Sequence, residues 1–120
     1  MNIEKVPIIA ITMGYAAGIG PELIVKTLAD KKKYISSRLL VIGDVKRLQD
    51  IAETCNLSIS WNEIRTLDQA EFKKNRFDII DLHNISSDDF EYGKVISSLG
   101  KASGEDLDLA WELAEEKKIQ

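Results

Sequence analysis

The segment VPIIAITM, residues 6 to 13, limits what this chain can fold into more than any other stretch. It is rich in β-branched residues and apolar at successive rather than alternate positions, so a strand built from it needs cover on both faces. Such a strand belongs inside a parallel sheet with a helix layer on each side. RLLVIG (38 to 43) and FDIIDL (77 to 82) have the same character, whereas LSISW (57 to 61) alternates with period two, as a half-covered strand does.

Helical patterns lie between these runs. Pro21 stands where a first helical turn tolerates proline, and Leu23, Ile24, Thr27 and Leu28 share a face of a helix reaching about Ala29. Asp44 is placed to cap a second helix with Val45, Leu48, Ile51, Ala52 and Cys55 as its apolar stripe. From Ser103 to about Lys118 a last helix puts Leu107, Ala110, Trp111 and Ala114 on one face, widened by Leu109 and Leu113. The order β-α-β-α-β-loop-β followed by a helix predicts an α/β fold, a mostly parallel sheet with flanking helices. Residues 83 to 104 are the least regular, and a loop of that length in a small domain is usually functional.

A length of 120 residues suits one domain. The net charge of −4, with acids and bases interleaved, lacks the basic stripe a nucleic-acid groove needs. The runs DKKKY and EFKKNR are short and flanked by acids, hence solvated helix ends. No apolar run is long enough to cross a bilayer, and the start MNIEKVPII lacks the marks of a signal peptide. The single cysteine, Cys55, excludes an internal disulfide, and a reducing, cytoplasmic setting is expected. His83 is the sole histidine, so it reads as a strand-end residue and no metal cluster is expected. Trp61 and Trp111 read as packing residues.

The chemistry concentrates in ITMGYAAGIGPELIVKTL, residues 11 to 28. It follows the first strand and opens the first helix, the favoured ligand position of a doubly wound sheet. Gly14, Gly18 and Gly20 allow positive φ and close backbone approach, and the helix start offers unpaired N–H groups to an anion. The P-loop pattern fails for want of a Lys-Ser/Thr pair, and the dinucleotide pattern G-x-G-x-x-G fails at Leu23. Spacing alone leaves a tight structural turn and a ligand loop equally open. Glu22 could contact a substrate or a nicotinamide ribose, or simply complement the helix dipole. Asp44 reads as a cap rather than a ribose ligand, and Lys94 as a solvated loop residue.

PIIAITMGYAAGIGPELIVKTL resembles the N-terminal signature of the 4-hydroxythreonine-4-phosphate dehydrogenase family, which reads GDPAGIGPE after such a strand. LLVIGD and YGKVISSLGKASGEDLDLAWELA resemble later family segments in the same order. The resemblance covers nearly the whole chain and includes relatives acting on 4-phosphorylated threonate and erythronate. It implies the first lobe of a two-lobed, isocitrate-dehydrogenase-like fold and an NAD-dependent oxidative decarboxylation of a small phosphorylated hydroxy acid, in the vitamin B6 enzyme a step of pyridoxine biosynthesis. It further implies a divalent metal held by histidines, and gives Gly14, Gly18, Gly20 and Glu22 as the cofactor-binding residues of this chain.

Two departures qualify this. Tyr15 and Ala16 stand where the family has Asp-Pro, and the family's three metal-binding histidines lie beyond the length matched here. An incomplete lobe, inactive alone and associating through an uncovered sheet edge or helix face, is therefore expected. The alternatives are a non-catalytic interaction or self-association module derived from that lobe, and a freestanding anion- or nucleotide-binding domain.

Overall fold

A computed structural model of the chain describes residues 7–14, 17–30, 38–73, 76–84, 97–116 and 119. Lys94, Tyr15, Ala16 and the three lysines of DKKKY lie outside the described residues. Four strands, β1 (Ile8–Thr12), β2 (Arg38–Ile42), β3 (Trp61–Ile64) and β4 (Phe77–Ile80), form one sheet in the order β1-β2-β4-β3. Every pairing is parallel, in the register Ile11, Val41, Ile79, Glu63 across the sheet. The α/β class and the element order expected from the sequence are borne out.

Alternation along the strands divides the core in two, as a doubly covered sheet requires. On one face Val41 and Ile79 pack with Met13, Ile24, Val25, Leu48, Ile51 and Ala52, the last five from α1 (Gly20–Ala29) and α2 (Val45–Thr54). On the other, Leu40, Ile42, Ile64 and Ile80 pack with Leu113 of α3 (Ser97–Glu115) and with Ile119. The predicted stripe of α2 holds: Leu48, Ile51 and Ala52 are buried, with Val45 and Cys55 packed beside them.

Three expectations need correction. The ladder of β3 begins at Trp61, because residues 57–60 alternate toward the core without joining the sheet except through Ser60, whose carbonyl accepts the Phe77 amide. In α1 the buried face is Pro21, Ile24 and Val25, about one position round from the expected stripe, and Leu23 is 56% exposed. α3 starts at Ser97, inside the stretch expected to be loop, and buries Ala102, Asp106 and Leu113; Leu107 and Trp111 point outward, 62% and 67% exposed. Trp111 is thus no core residue, whereas Trp61 packs 6.3 Å from Phe77. The sheet covers one side of α3, and the amphipathic pattern held two candidate sides.

Asp78, buried in β4, is a structural carboxylate. It accepts hydrogen bonds from Asn62 Nδ2 (2.8 Å) and from the amides of Glu71 (3.1 Å) and Phe72 (2.8 Å), so its charge is spread over three donors and it ties the β3–β4 connection down.

The glycines of α1 and α3 are opposites. A Cβ on Gly20 would strike the Met13 carbonyl, whereas one on Gly104 would meet nothing within 4 Å. Chemical denaturation should show Gly104→Ala more stable by about 0.5–1 kcal/mol, because Ala loses less backbone freedom in a helix. Gly20→Ala should lose about 1–3 kcal/mol to overpacking.

Candidate functional site

All four strands point their carboxyl ends the same way, and across the sheet Met13–Gly14, Gly43–Asp44, Asp81 and Ile64 follow one another there. The first two junctions are pinned by hydrogen bonds from Met13 N to Ile42 O (2.8 Å) and from Gly43 N to Ile80 O (3.1 Å). In parallel sheets this edge is where ligands bind.

The two helices that begin there differ. The α2 N-terminus is closed by carboxylates: Asp44 Oδ1 accepts the Arg47 amide (2.7 Å) and Asp81 Oδ2 accepts the Val45 amide (3.0 Å). Asp44 is a helix cap, as its position suggested. The α1 N-terminus has no side-chain cap; its N-cap is Ile19, and the acid of its first turn, Glu22, pairs with Lys26 at 2.7 Å. An anion arriving at this edge meets two carboxylates at the α2 start, whereas the α1 start has no side-chain cap, Pro21 offers no N–H, and Glu22 is paired with Lys26.

Within the loop the glycines separate. Gly14 has φ of +74°, a conformation that costs glycine little, and a Cβ there would meet nothing within 4 Å. Its backbone can be approached closely. Gly20 is required by internal packing against Met13, and Gly18 is half-buried in the turn before α1. Ile19 (69% exposed) and Leu23 (56% exposed) form an apolar lip beside this loop.

At the other end of the edge the fold gathers charged side chains that sequence reasoning did not connect. His83 Nε2 lies 2.9 Å from Glu63 Oε1, and His83 Nδ1 lies 3.8 Å from Asp81 Oδ1. The link is the pairing of β3 with β4, which brings position 63 beside 79 and so close to 81–83. Asp106 was also missed. It is 2% exposed, on the covered side of α3, and its Oδ1 has no hydrogen-bond partner among the described residues. Burial, then the charges of Asp81 and Asp44, push its carboxyl up to about 7. Burial also raises Asp44, opposed chiefly by the Arg47 amide. The signal for Asp106 was its helical register with Ala102, Ala110 and Leu113, which places an acid within an apolar stripe.

A carboxyl that titrates near neutrality because folding buries it lowers stability as it ionises. Between the ordinary value of 3.8 and about 7 the folded state holds a proton that the unfolded state has released, so stability falls as pH rises through this window and levels off above it. Denaturant titrations from pH 4 to 8 should show a loss of roughly 2 kcal/mol, allowing for solvent screening at the sheet edge. Asp106→Asn should flatten the profile and be the more stable protein at pH 8.

No family model matches the chain. Similarity to individual proteins is nonetheless extensive. A protein of Clostridium botulinum provisionally named D-threonate 4-phosphate dehydrogenase is 36% identical over 98% of this chain and 35% of its own length. One of the same name from Oceanobacillus iheyensis is 42% identical over 98% of this chain and 36% of its length. The crystal structure of a 4-hydroxythreonine-4-phosphate dehydrogenase from Burkholderia phymatum superposes with a TM-score of 0.87 at 38% identity, covering 95% of this chain and 34% of that one. The chain thus spans about a third of the length of the relatives it matches.

Proposed function

Because nearly the whole chain corresponds to about a third of a 4-hydroxythreonine-4-phosphate dehydrogenase-type protein, we propose that it forms the glycine-loop wall of an NAD-linked dehydrogenase cleft. The substrate is a small 4-phosphorylated hydroxy acid of the hydroxythreonine or threonate type. Gly14, Gly18, Gly20 and Glu22 are the cofactor-binding residues in this reading, with Gly14 the point of closest backbone approach. The observation that carries it is the contrast between the uncapped α1 N-terminus beside a left-handed Gly14 and the carboxylate-sealed α2 N-terminus. The pyrophosphate is thereby directed to α1. The exposed Ile19 and Leu23 offer apolar cover to a flat ring. NAD, when bound, takes up the hydride that the substrate alcohol gives.

The histidine-held divalent metal implied by the resemblance does not fit this chain, which has one histidine. We propose that the chain alone does not turn over. No helix among the described residues is long and apolar enough to cross a membrane, and the setting proposed is cytoplasmic.

A second reading, a self-association module derived from the same lobe, is favoured by the apolar outer face of α3, where Leu107 and Trp111 stand one turn apart and exposed. Sedimentation separates the two readings: association that Trp111→Lys abolishes supports the module, and a monomer at all micromolar concentrations removes it.

Amide NMR tests the first reading. Addition of NAD should shift Gly14, Gly18, Gly20 and Glu22, and a 4-phosphorylated hydroxy acid should shift adjoining strand ends. An unresponsive, well-dispersed spectrum would make the loop a turn only. Formation of NADH by the chain with substrate and metal would overturn the proposed inactivity.

A further inference from the structure

We propose that Glu63, Asp81 and His83 form a binding site for a borderline divalent cation of the zinc class. One ligand atom from each lies within 4.8 Å of the others. Bonds of about 2.0–2.1 Å in a tetrahedral site place ligand atoms roughly 3.3 Å apart, so side-chain movements of about an ångström close the set. The fold allows this unequally. The Asp81 side chain is 5% exposed, with Oδ2 held by the Val45 amide and Oδ1 by the His83 amide at 2.7 Å. It is the fixed member, and its two amide bonds orient the carboxylate as partners behind a metal ligand commonly do. Glu63 and His83, 47% and 73% exposed, are free to adjust.

The same Asp81–amide bond holds His83 in a left-handed conformation, φ +52°. This sets the imidazole over the end of β3, where Glu63 stands. A neighbouring buried carboxyl adds to the negative charge around Asp81. Asp106 is buried, its Oδ1 has no hydrogen-bond partner among the described residues, and the charges of Asp81, Asp44 and Glu105 act on it. Three carboxylates and Glu63 therefore share one end of the edge, an arrangement that a bound cation relieves. One imidazole with two carboxylates selects zinc, cobalt or manganese over magnesium and calcium, which want oxygen alone. Three protein ligands leave a coordination position open to water or to an anionic group.

The site lies at the carboxyl ends of β4 and β3, and the glycine loop follows β1, two to three strand spacings or about 10–14 Å across the sheet. The inference thus stands whether or not the loop binds NAD.

The test is calorimetric titration of the chain, freed of any polyhistidine tag, with zinc chloride, alongside cobalt binding followed by visible absorption. One equivalent should bind, and the cobalt spectrum should lack a thiolate charge-transfer band. His83→Asn keeps a residue tolerant of left-handed backbone while removing the imidazole. It and Glu63→Gln should each weaken zinc at least tenfold, with far-ultraviolet dichroism unchanged, and Cys55→Ser should bind as the parent does. Undiminished affinity in His83→Asn, loss of binding in Cys55→Ser, or no binding by the parent chain would overturn the proposal.

Discussion

The packing of Met13 sets the geometry on which the rest of this edge depends. It is 1% exposed, its amide bonds the end of β2, its carbonyl abuts Gly20 at the start of α1, and its side chain fills the space a Cβ on Gly43 would take, 2.6 Å away. One residue therefore fixes three things at once: where β1 ends, how closely α1 begins, and how the chain turns after β2. Gly20 and Gly43 leave it room, whereas Gly14, with its left-handed backbone and nothing within 4 Å of where a Cβ would stand, is not needed for that packing.

Charge then divides the edge. Carboxylates from the ends of β2 and β4 cap α2, and a third from α3 is buried near them, its Oδ1 without a donor among the described residues. Asp78, equally buried, shows the alternative: three donors neutralise the need for any further partner. The comparison makes Asp106 the unusual group, since an acid without donors stays in an apolar helix face only by holding its proton near neutrality or by meeting a cation. This end of the sheet is negatively charged, and the start of α1 beside Gly14 has no side-chain cap.

Strands β1, β2 and β4, the order of elements along the chain and the cap at Asp44 were legible in the sequence because each rests on local pattern: continuous apolar runs, and an acid just ahead of a periodic stripe. Family kinship was legible from the glycine motif and is borne out by relatives and solved structures covering nearly the whole chain. The face of α3 was not, because Leu107 and Trp111 compete with Ala102, Leu109 and Leu113 for burial, and only the position of the sheet decides. The grouping of Glu63 with Asp81 and His83 was equally hidden, since it arises from the parallel register of β3 on β4 and no spacing encodes it.

The central claim is that the α1 start and Gly14 form a cofactor wall while the α2 start is closed. A crystal structure of the chain grown with NAD tests it most directly. Pyrophosphate density is expected over Gly14 and the N–H groups of Gly20 and Glu22, with Asp44 and Asp81 still bonded to the Arg47 and Val45 amides. Pyrophosphate seated at α2 with those carboxylates displaced, or a loop without bound nucleotide at saturating NAD, would contradict it.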